Sequence, residues 1–458
     1  MRGPVWVIAQ KEFLENFLSL RYQVSSLLCF LLVTGSALLS AAGLQQELKR
    51  HLHTELSRQE RLGDGIPMAE FFWRPLPYQK RPSPVAIFAS GLETTMTRPI
   101  HLQRKWWEGG KLTAGPSPVE APVFRLFSRP DLVYIVAVVL SLLALITGHD
   151  AITREREGGT LKLLLSCPVP RDSVILGKAI GGFASVAIPL VASLLAAALI
   201  HIIVSPLPLD GEGWVRFVWI SLIAITYVAA FLFMGIFVSA LVNRSATAII
   251  IGLFGWTLLA ILLPHIGPML ARMIEPVETS SELASSKRTL AAALRVQLRE
   301  KYKNERGWRR RRLIQNEIAT ATANLDEERQ RSMIRQLRLG RSISRISPAG
   351  AFIFGTTEVS GTGVWSYLEF LEEARRLNRD FNNSIEEVFT RFTRRRNRGG
   401  HEVWQQELGP DDLPTFKPKV LSSSEGIAKG IWEVFGLACF AVAFFLAGFV
   451  AFLRSDIT

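Results

Sequence analysis

Cysteine is scarce in this chain of 458 residues, and its three members are far apart. Cys29 and Cys439 lie in apolar runs near the two ends, while Cys167 lies in a short polar loop. No two of them share a polar segment, so the sequence excludes a disulfide framework. Their spacing also lacks the paired pattern that metal ligands show.

Motifs for nucleotide binding and for common catalytic centres are also missing. The chain has no Gly-x-x-x-x-Gly-Lys-Ser/Thr loop, so we expect that it does not bind and split ATP itself. It has no His-Glu-x-x-His zinc motif and no Gly-x-Ser-x-Gly elbow. We therefore expect no catalytic residue, no metal and no cofactor in this chain. An integral-membrane enzyme stays open as an alternative, because catalytic residues need not be adjacent in sequence.

Charged residues are missing from six long runs, although the chain as a whole carries a formal net charge of +13. About 20 apolar residues are enough for a helix to cross the hydrocarbon core. The positive mean hydropathy of +0.22 also favours a membrane protein. The sequence thus predicts an α-helical integral membrane protein with six transmembrane helices. The predicted spans are 24–44, 132–148, 176–205, 217–242, 245–267 and 431–454.

Lysine and arginine are concentrated in the short segments on one side of these spans. Segments 1–23 and 148–178 hold eight of them, whereas the short loop 206–216 holds only Arg216. Basic residues favour the cytoplasmic side. We therefore expect a multi-pass protein of the bacterial inner (plasma) membrane with both termini cytoplasmic.

Two long segments, 45–131 and 268–430, then form extracytoplasmic insertions. The first is rich in proline after a polar helix, so we expect irregular loops. Both carry more basic than acidic residues, as expected of a solvated surface or of contact with anionic headgroups or an acidic cargo. Nucleic acid is not an expected partner, because no recognition motif accompanies the charge. The aromatic residues expected to anchor the first insertion are Phe71, Phe72, Trp73, Trp106 and Trp107.

The second insertion has mainly helical periodicity. A break at 304–307 predicts a helical hairpin, or one long helix with an interruption. Gly340 is a candidate C-cap, and 347–350 has the composition of a turn. An amphipathic helix is predicted from Trp365 to Phe392.

Two segments on the cytoplasmic side have features that suggest docking. Residues 1–23 form an amphipathic helix that suits the membrane interface. The loop 149–175 combines a short charged helix with a glycine pair, Gly158 and Gly159, which permits a tight reversal. In a membrane protein, a charged loop of this kind is a candidate contact site for a soluble protein.

The residues of this loop resemble the signature of type-2 ATP-binding-cassette (ABC-2 type) exporter permeases. The pattern is Asp150-x-x-x-x-Glu155-Arg156-Glu157-x-Gly159-Thr160-Leu161, followed by Pro168 and Gly177-Lys178. The large insertions are similar to those of a subgroup with enlarged extracytoplasmic domains. The resemblance implies a coupling helix seated on a separate ATPase, and a connecting helix that contains Lys11 and Glu12. The implied coupling residues are Asp150, Arg154, Glu155, Arg156, Glu157, Gly159, Thr160 and Leu161.

The same resemblance implies the partners and the activity. Two cytosolic ATPase subunits would bind ATP and Mg, and a second permease chain would complete a homodimer or a heterodimer. The implied function is export of an amphipathic or lipid-linked substrate. The alternative is mechanotransmission, in which ATP-driven motion acts on an extracytoplasmic partner or accessory protein without transport.

Overall fold

A computed structural model describes residues 3–63, 66–67, 76–104, 112–113, 131–166, 168–305, 307–395, 407–408, 413–416, 419 and 421–455. These residues are mainly helical. The helices are α1 (Pro4–Leu18), α2 (Leu20–Gly63), α3 (Glu93–Met96), α4 (Leu132–Ile135), α5 (Ser141–Gly148), α6 (Thr153–Glu157), α7 (Thr160–Ser166), α8 (Arg171–Val204), α9 (Gly211–Leu241), α10 (Ser245–Trp256), α11 (Leu263–Ile274), α12 (Ser280–Lys301), α13 (Gly307–Ser344), α14 (Pro348–Ser360), α15 (Val364–Arg395) and α16 (Ser423–Arg454).

Short strands add two small antiparallel sheets. One pairs β1 (Ile66–Pro67) with β5 (Glu407–Leu408), so the two insertions meet there. The other has the order β2 (Leu76–Tyr78), β3 (Ile100–Arg104) and β4 (Leu112–Thr113). The predicted aromatic anchors of the first insertion, and Cys167, lie outside the described residues.

Six helical stretches are long and apolar enough to cross a membrane, which confirms the predicted fold class and the number of spans. Two of them contain a π-helical segment, Val136–Leu140 and Thr257–Leu262, at which the helix continues. The six stretches are Leu20–Gly63, Leu132–Glu157, Arg171–Val204, Gly211–Leu241, Ser245–Ile274 and Ser423–Arg454.

The bundle has two ends, which we name by what they carry. The Glu155 end carries α1, α6 and the start of α8, and the insertion end carries both long insertions. Helix α2 continues without a break from the first span into the first insertion. Helix α8 begins at Arg171, before the predicted start of the third span at 176.

Helices α11, α12 and α13 form an antiparallel hairpin that continues the fifth span beyond the bundle. A capping box at Thr279 and Glu282 starts α12 after a short break. Contacts move back along α13 as they move forward along α11 and α12, which is the mark of an antiparallel pair. From the bundle outwards, the contacts join Ser344 to Pro264, Arg335 to Glu275, Asp326 to Lys287 and Glu317 to Tyr302.

The prediction that Gly340 ends a helix is wrong, because α13 runs through it to Ser344. Glycine costs about 1 kcal/mol in a helix interior. Gly340 instead faces Pro268, with the two arms in close contact. A side chain at Gly267 would come within 2.8 Å of the Gly340 carbonyl oxygen, so the approach requires glycine there.

Helix α14 is buried along its whole length and packs between α9 and α16. Phe352 stacks on Tyr227 with ring centroids 4.4 Å apart. The residues predicted as a turn form its start, where the Ser347 hydroxyl accepts from the Ala349 and Gly350 amides and donates to the Leu259 carbonyl. Ser347 is thus the N-cap and Pro348 the first residue of the helix, which explains why the segment resembled a turn.

A buried charged group joins the hairpin to the bundle at this level. Arg341 of α13 donates to Glu358 of α14 at 3.1 Å and to Glu433 of α16 at 2.8 Å. All three side chains are at most one-tenth exposed. We call Arg341, Glu358 and Glu433 the Arg341 cluster.

Candidate functional site

Helix α6 leaves the second span at the Glu155 end, and its first turn is fixed by the fourth span. The hydroxyl of Ser239 accepts hydrogen bonds from the Ile152 and Thr153 amides at 3.0 and 3.1 Å. Both of these backbone groups are buried. The first amides of a helix have no intrahelical hydrogen-bond partner. The Ser239 hydroxyl supplies that partner here, so it fixes the start of α6 against α9.

Four charged residues from three elements meet behind α6. Lys178 of α8, 1% exposed, lies 3.0 Å from Glu12 of α1 and 3.0 Å from Glu155 of α6. Lys11 lies 3.2 Å from the same Glu155 oxygen. Glu12 and Glu155 are also buried. We call Lys11, Glu12, Glu155 and Lys178 the Lys178 cluster.

The cluster is balanced, with two carboxylates and two ammonium groups. A buried charge is costly unless an opposite charge accompanies it, and each member of the cluster has an opposite charge within 3.2 Å. For Lys11, burial disfavours the charged form, but the neighbouring Glu155 and Glu15 carboxylates outweigh it and raise the pKa of Lys11. The cluster therefore fastens α1, α6 and α8 as one unit.

Helix α1 lies directly against α8 beside this cluster. A side chain at Gly177 would come within 2.7 Å of Ile8, and one at Gly181 within 2.6 Å of the Ala9 carbonyl oxygen. The two glycines, one helical turn apart, therefore let the backbones approach closely enough for Glu12 to reach Lys178.

The opposite side of α6 and the start of α7 is exposed. Arg154, Glu157 and Thr160 face solvent, and the side chain of Leu163 is 68% exposed. Gly159 forms the reversal between the two helices with a φ of 71°, which favours glycine, and no atom would meet a side chain there. We call residues 154, 157–160 and 163 the exposed loop face.

Further bonds hold this face in position. Glu157 accepts from the amide and the hydroxyl of Ser245, both at 2.9 Å. Arg156 donates to the Val242 carbonyl and to Asn243 at 2.8 Å. These bonds attach α6 to the junction between the fourth and fifth spans.

The structure separates the predicted coupling residues into two groups. Glu155 and Leu161 point inward and are buried, and Asp150 pairs with Arg21 at 3.6 Å. The remaining members lie on the exposed loop face or at its edge. Lys11 and Glu12, predicted on the connecting helix, lie directly behind α6.

Sequence reasoning assigned no role to Ser239 or Ser245, and it included Lys178 in the family pattern without giving it a role. Lys178 had a visible signal, since it is the last charge before the long uncharged run of the third span. The two serines had none, because hydroxyls are common in apolar helices. Among the described residues, no group of three or more His, Cys, Asp or Glu could hold a metal ion.

Comparison with known sequences identifies the family. A family model described as "ABC-2 family transporter protein" matches residues 6–457. The chain therefore belongs to this family of ABC transporter membrane proteins, which confirms the predicted resemblance. It is a multi-pass membrane protein with six apolar helices.

Two curated proteins share a short similar stretch with the chain. Each is named "Probable ABC transporter permease protein NosY", one from Stutzerimonas stutzeri and one from Pseudomonas aeruginosa. Each is 49% identical over 43 residues, which is 9% of this chain and 16% of the relative. The chain thus aligns with only a small part of these relatives.

Proposed function

We propose that this chain is the permease subunit of an ABC exporter and that its exposed loop face is the seat of a separate ATPase. The observation that carries the proposal is the Lys178 cluster, which backs α6 with buried ion pairs and leaves its other side open. A contact that must transmit force needs a rigid backing, and α1 and α8 provide one for α6.

The proposed working unit contains two permease chains, as a homodimer or a heterodimer, and two ATPase subunits. ATP and Mg would be bound by the ATPase, which supplies the hydrolysis. Closure of the ATPase pair would push on the exposed loop face, and the packed helices would shift between discrete arrangements. The cargo we propose is an amphipathic or lipid-linked compound.

The proposed location is the bacterial inner membrane, with the Glu155 end and both termini in the cytoplasm. Support comes from the lysines and arginines of 1–23 and 148–178, which lie at the end that also carries the exposed loop face.

A photo-crosslinking amino acid at position 160 is expected to capture the ATPase in the reconstituted complex. Thr160 is exposed and near the centre of the proposed seat. The matched control carries the same amino acid at Ser281, an exposed position on the hairpin. Mass spectrometry of the products checks the result. Capture from position 281 but not from 160, in a complex that hydrolyses ATP, would contradict the proposal.

One observation favours the alternative of mechanotransmission. The hairpin is rooted in the fifth and sixth spans through Ser344, which donates to Pro264, and through the Arg341 cluster. Movement of the spans would therefore be transmitted through the hairpin to a partner bound at the insertion end. Export needs no such attachment.

Removing residues 288–325 and joining the ends by a short Gly-Ser linker distinguishes the two functions. Lys287 and Asp326 lie 2.6 Å apart, so the shortened hairpin keeps its base. An exporter is expected to keep substrate-stimulated ATPase activity and flux in proteoliposomes. Intact basal ATPase activity with loss of the cellular function would instead support mechanotransmission.

A further inference from the structure

The far end of the hairpin concentrates positive charge. Residues 295–312, which we call the tip, contain nine Lys or Arg and two Glu. The rest of the hairpin, 263–294 and 313–344, contains eight basic and seven acidic residues. Most of the hairpin's charge excess is therefore at one end of it.

The tip lies far from the bundle. Helix α13 has 38 residues, which span about 57 Å at about 1.5 Å per residue. Its inner end is fixed beside Pro264 in the extended fifth span, and its contacts with α11 and α12 keep it alongside the line of that span. The bilayer that holds the spans is therefore out of reach of the tip.

Some of the tip's cations are already paired, and others are free. Lys301 pairs with Glu317, and Lys303 with Glu300. Arg295, Arg299 and Arg311 are exposed, and within the described part of the hairpin no carboxylate lies within 4.0 Å of them. These three guanidinium groups are available to an external anion.

The character of the tip favours a phosphate-bearing surface over a folded protein. The cores of protein–protein interfaces are depleted of charge and contain large apolar groups. The tip is instead arginine-rich, with Arg295, Arg299 and Arg311 exposed, and guanidinium groups match phosphate oxygens with paired hydrogen bonds. Exposed cations at the end of a long hairpin suit a broad anionic surface, where each cation gains free energy by approaching.

We propose that the tip docks on an anionic phospholipid bilayer other than the one that holds the spans. Arg295, Arg299 and Arg311 contact the lipid phosphates, and the remaining cations add attraction that salt screens. The hairpin then bridges two membrane surfaces, with the bundle in one and the tip on the other.

The test mixes the full chain, held in phosphatidylcholine nanodiscs, with vesicles and separates bound nanodiscs by flotation. Vesicles are phosphatidylcholine alone or with a quarter phosphatidylglycerol. We expect flotation only with the anionic vesicles. Raising salt from about 0.1 M to about 1 M shortens the screening length from about 10 to about 3 Å and should abolish it.

A charge-reversal variant locates the contact. Arg295→Glu, Arg299→Glu and Arg311→Glu together are expected to weaken vesicle binding at least about a hundredfold. The matched control, Arg288→Glu, Arg331→Glu and Arg345→Glu, changes the same charge at exposed positions nearer the bundle and should bind as the unchanged chain does. Circular dichroism confirms that both variants keep their helices.

Three results would overturn the proposal. One is equal binding to neutral and anionic vesicles, and another is full binding by the tip variant. The third is tip-dependent binding to free polyphosphate or to an acidic protein, with no binding to anionic vesicles.

Discussion

Replacement of Lys178 by methionine is expected to lower the free energy of unfolding by about 3–5 kcal/mol, the usual cost of leaving buried charges without their partner. Glu12 and Glu155 would then face each other with only partly exposed cations for compensation, Lys11 beside Glu155 and Arg154 3.8 Å from Glu12. The repulsion would push α6 away from α1 and α8. We therefore also expect reduced coupling of ATP hydrolysis to transport. Denaturant titration in micelles measures the first effect, and the ratio of flux to ATP hydrolysis measures the second.

Two variants control this experiment. Lys11→Met removes a cation whose side chain is 50% exposed, so its cost should be about 0–1 kcal/mol. Combining Lys178→Met with Glu155→Gln restores the charge balance and should recover part of the lost stability. If Lys178→Met were as mild as Lys11→Met, the cluster would not fasten the three elements.

Arg341→Met is expected to have a comparable cost at the insertion end, about 3–5 kcal/mol. It leaves the buried carboxylates of Glu358 and Glu433 without their shared guanidinium group. Each also has a second oxygen that is buried with no hydrogen-bond partner among the described residues. The Trp365 amide donates to Glu358 at 3.2 Å, but it carries no charge that could replace the arginine. We expect the root of the hairpin to loosen, with faster proteolysis between α13 and α14. Thermal unfolding and limited proteolysis check this, with the exposed Arg345→Met as control.

The same cluster gives stability a pH dependence. Burial raises the pKa of Glu358 to about 7, even though Arg341 opposes the shift. The folded chain therefore binds this proton more tightly than the unfolded chain, whose carboxyl has the ordinary value of 4.5. Stability from this group is complete below pH 4.5 and falls as the pH rises to about 7. Glu358→Gln should flatten the profile in this window, and an unchanged slope would contradict the assignment.

The six membrane spans could be predicted from the sequence because the lipid core requires long runs of residues without charge. Uncharged runs as long as 217–242 are typical of membrane-spanning helices and rare in soluble proteins. The loop from Asp150 to Leu161 was readable for a different reason, since its spacing is a family signature. Both kinds of signal lie within one continuous stretch of chain.

The Lys178 cluster could not be predicted from the sequence, because it brings together residues that are distant in sequence. Glu155 has the same charge as Glu157, yet only Glu155 is buried, and the difference arises from Lys178 on another helix. The wrong prediction of a helix end at Gly340 also arises from a contact between residues that are distant in sequence. Its local preference was clear, but contact with Pro268 on the neighbouring arm overrides it.

The unequal construction of the hairpin arms has a mechanical consequence. Helix α13 is unbroken, while the opposite arm is interrupted between Ile274 and Ser280. At that interruption, Arg335 and Arg329 of the intact arm donate hydrogen bonds to Glu275 and to the Glu278 carbonyl. These bonds stabilise the break against bending. A rod of about 57 Å behaves as a lever, and a tilt of about 10° in the fifth span would displace its far end by about 10 Å. Small rotations within the lipid are thereby enlarged into movements as wide as a helix.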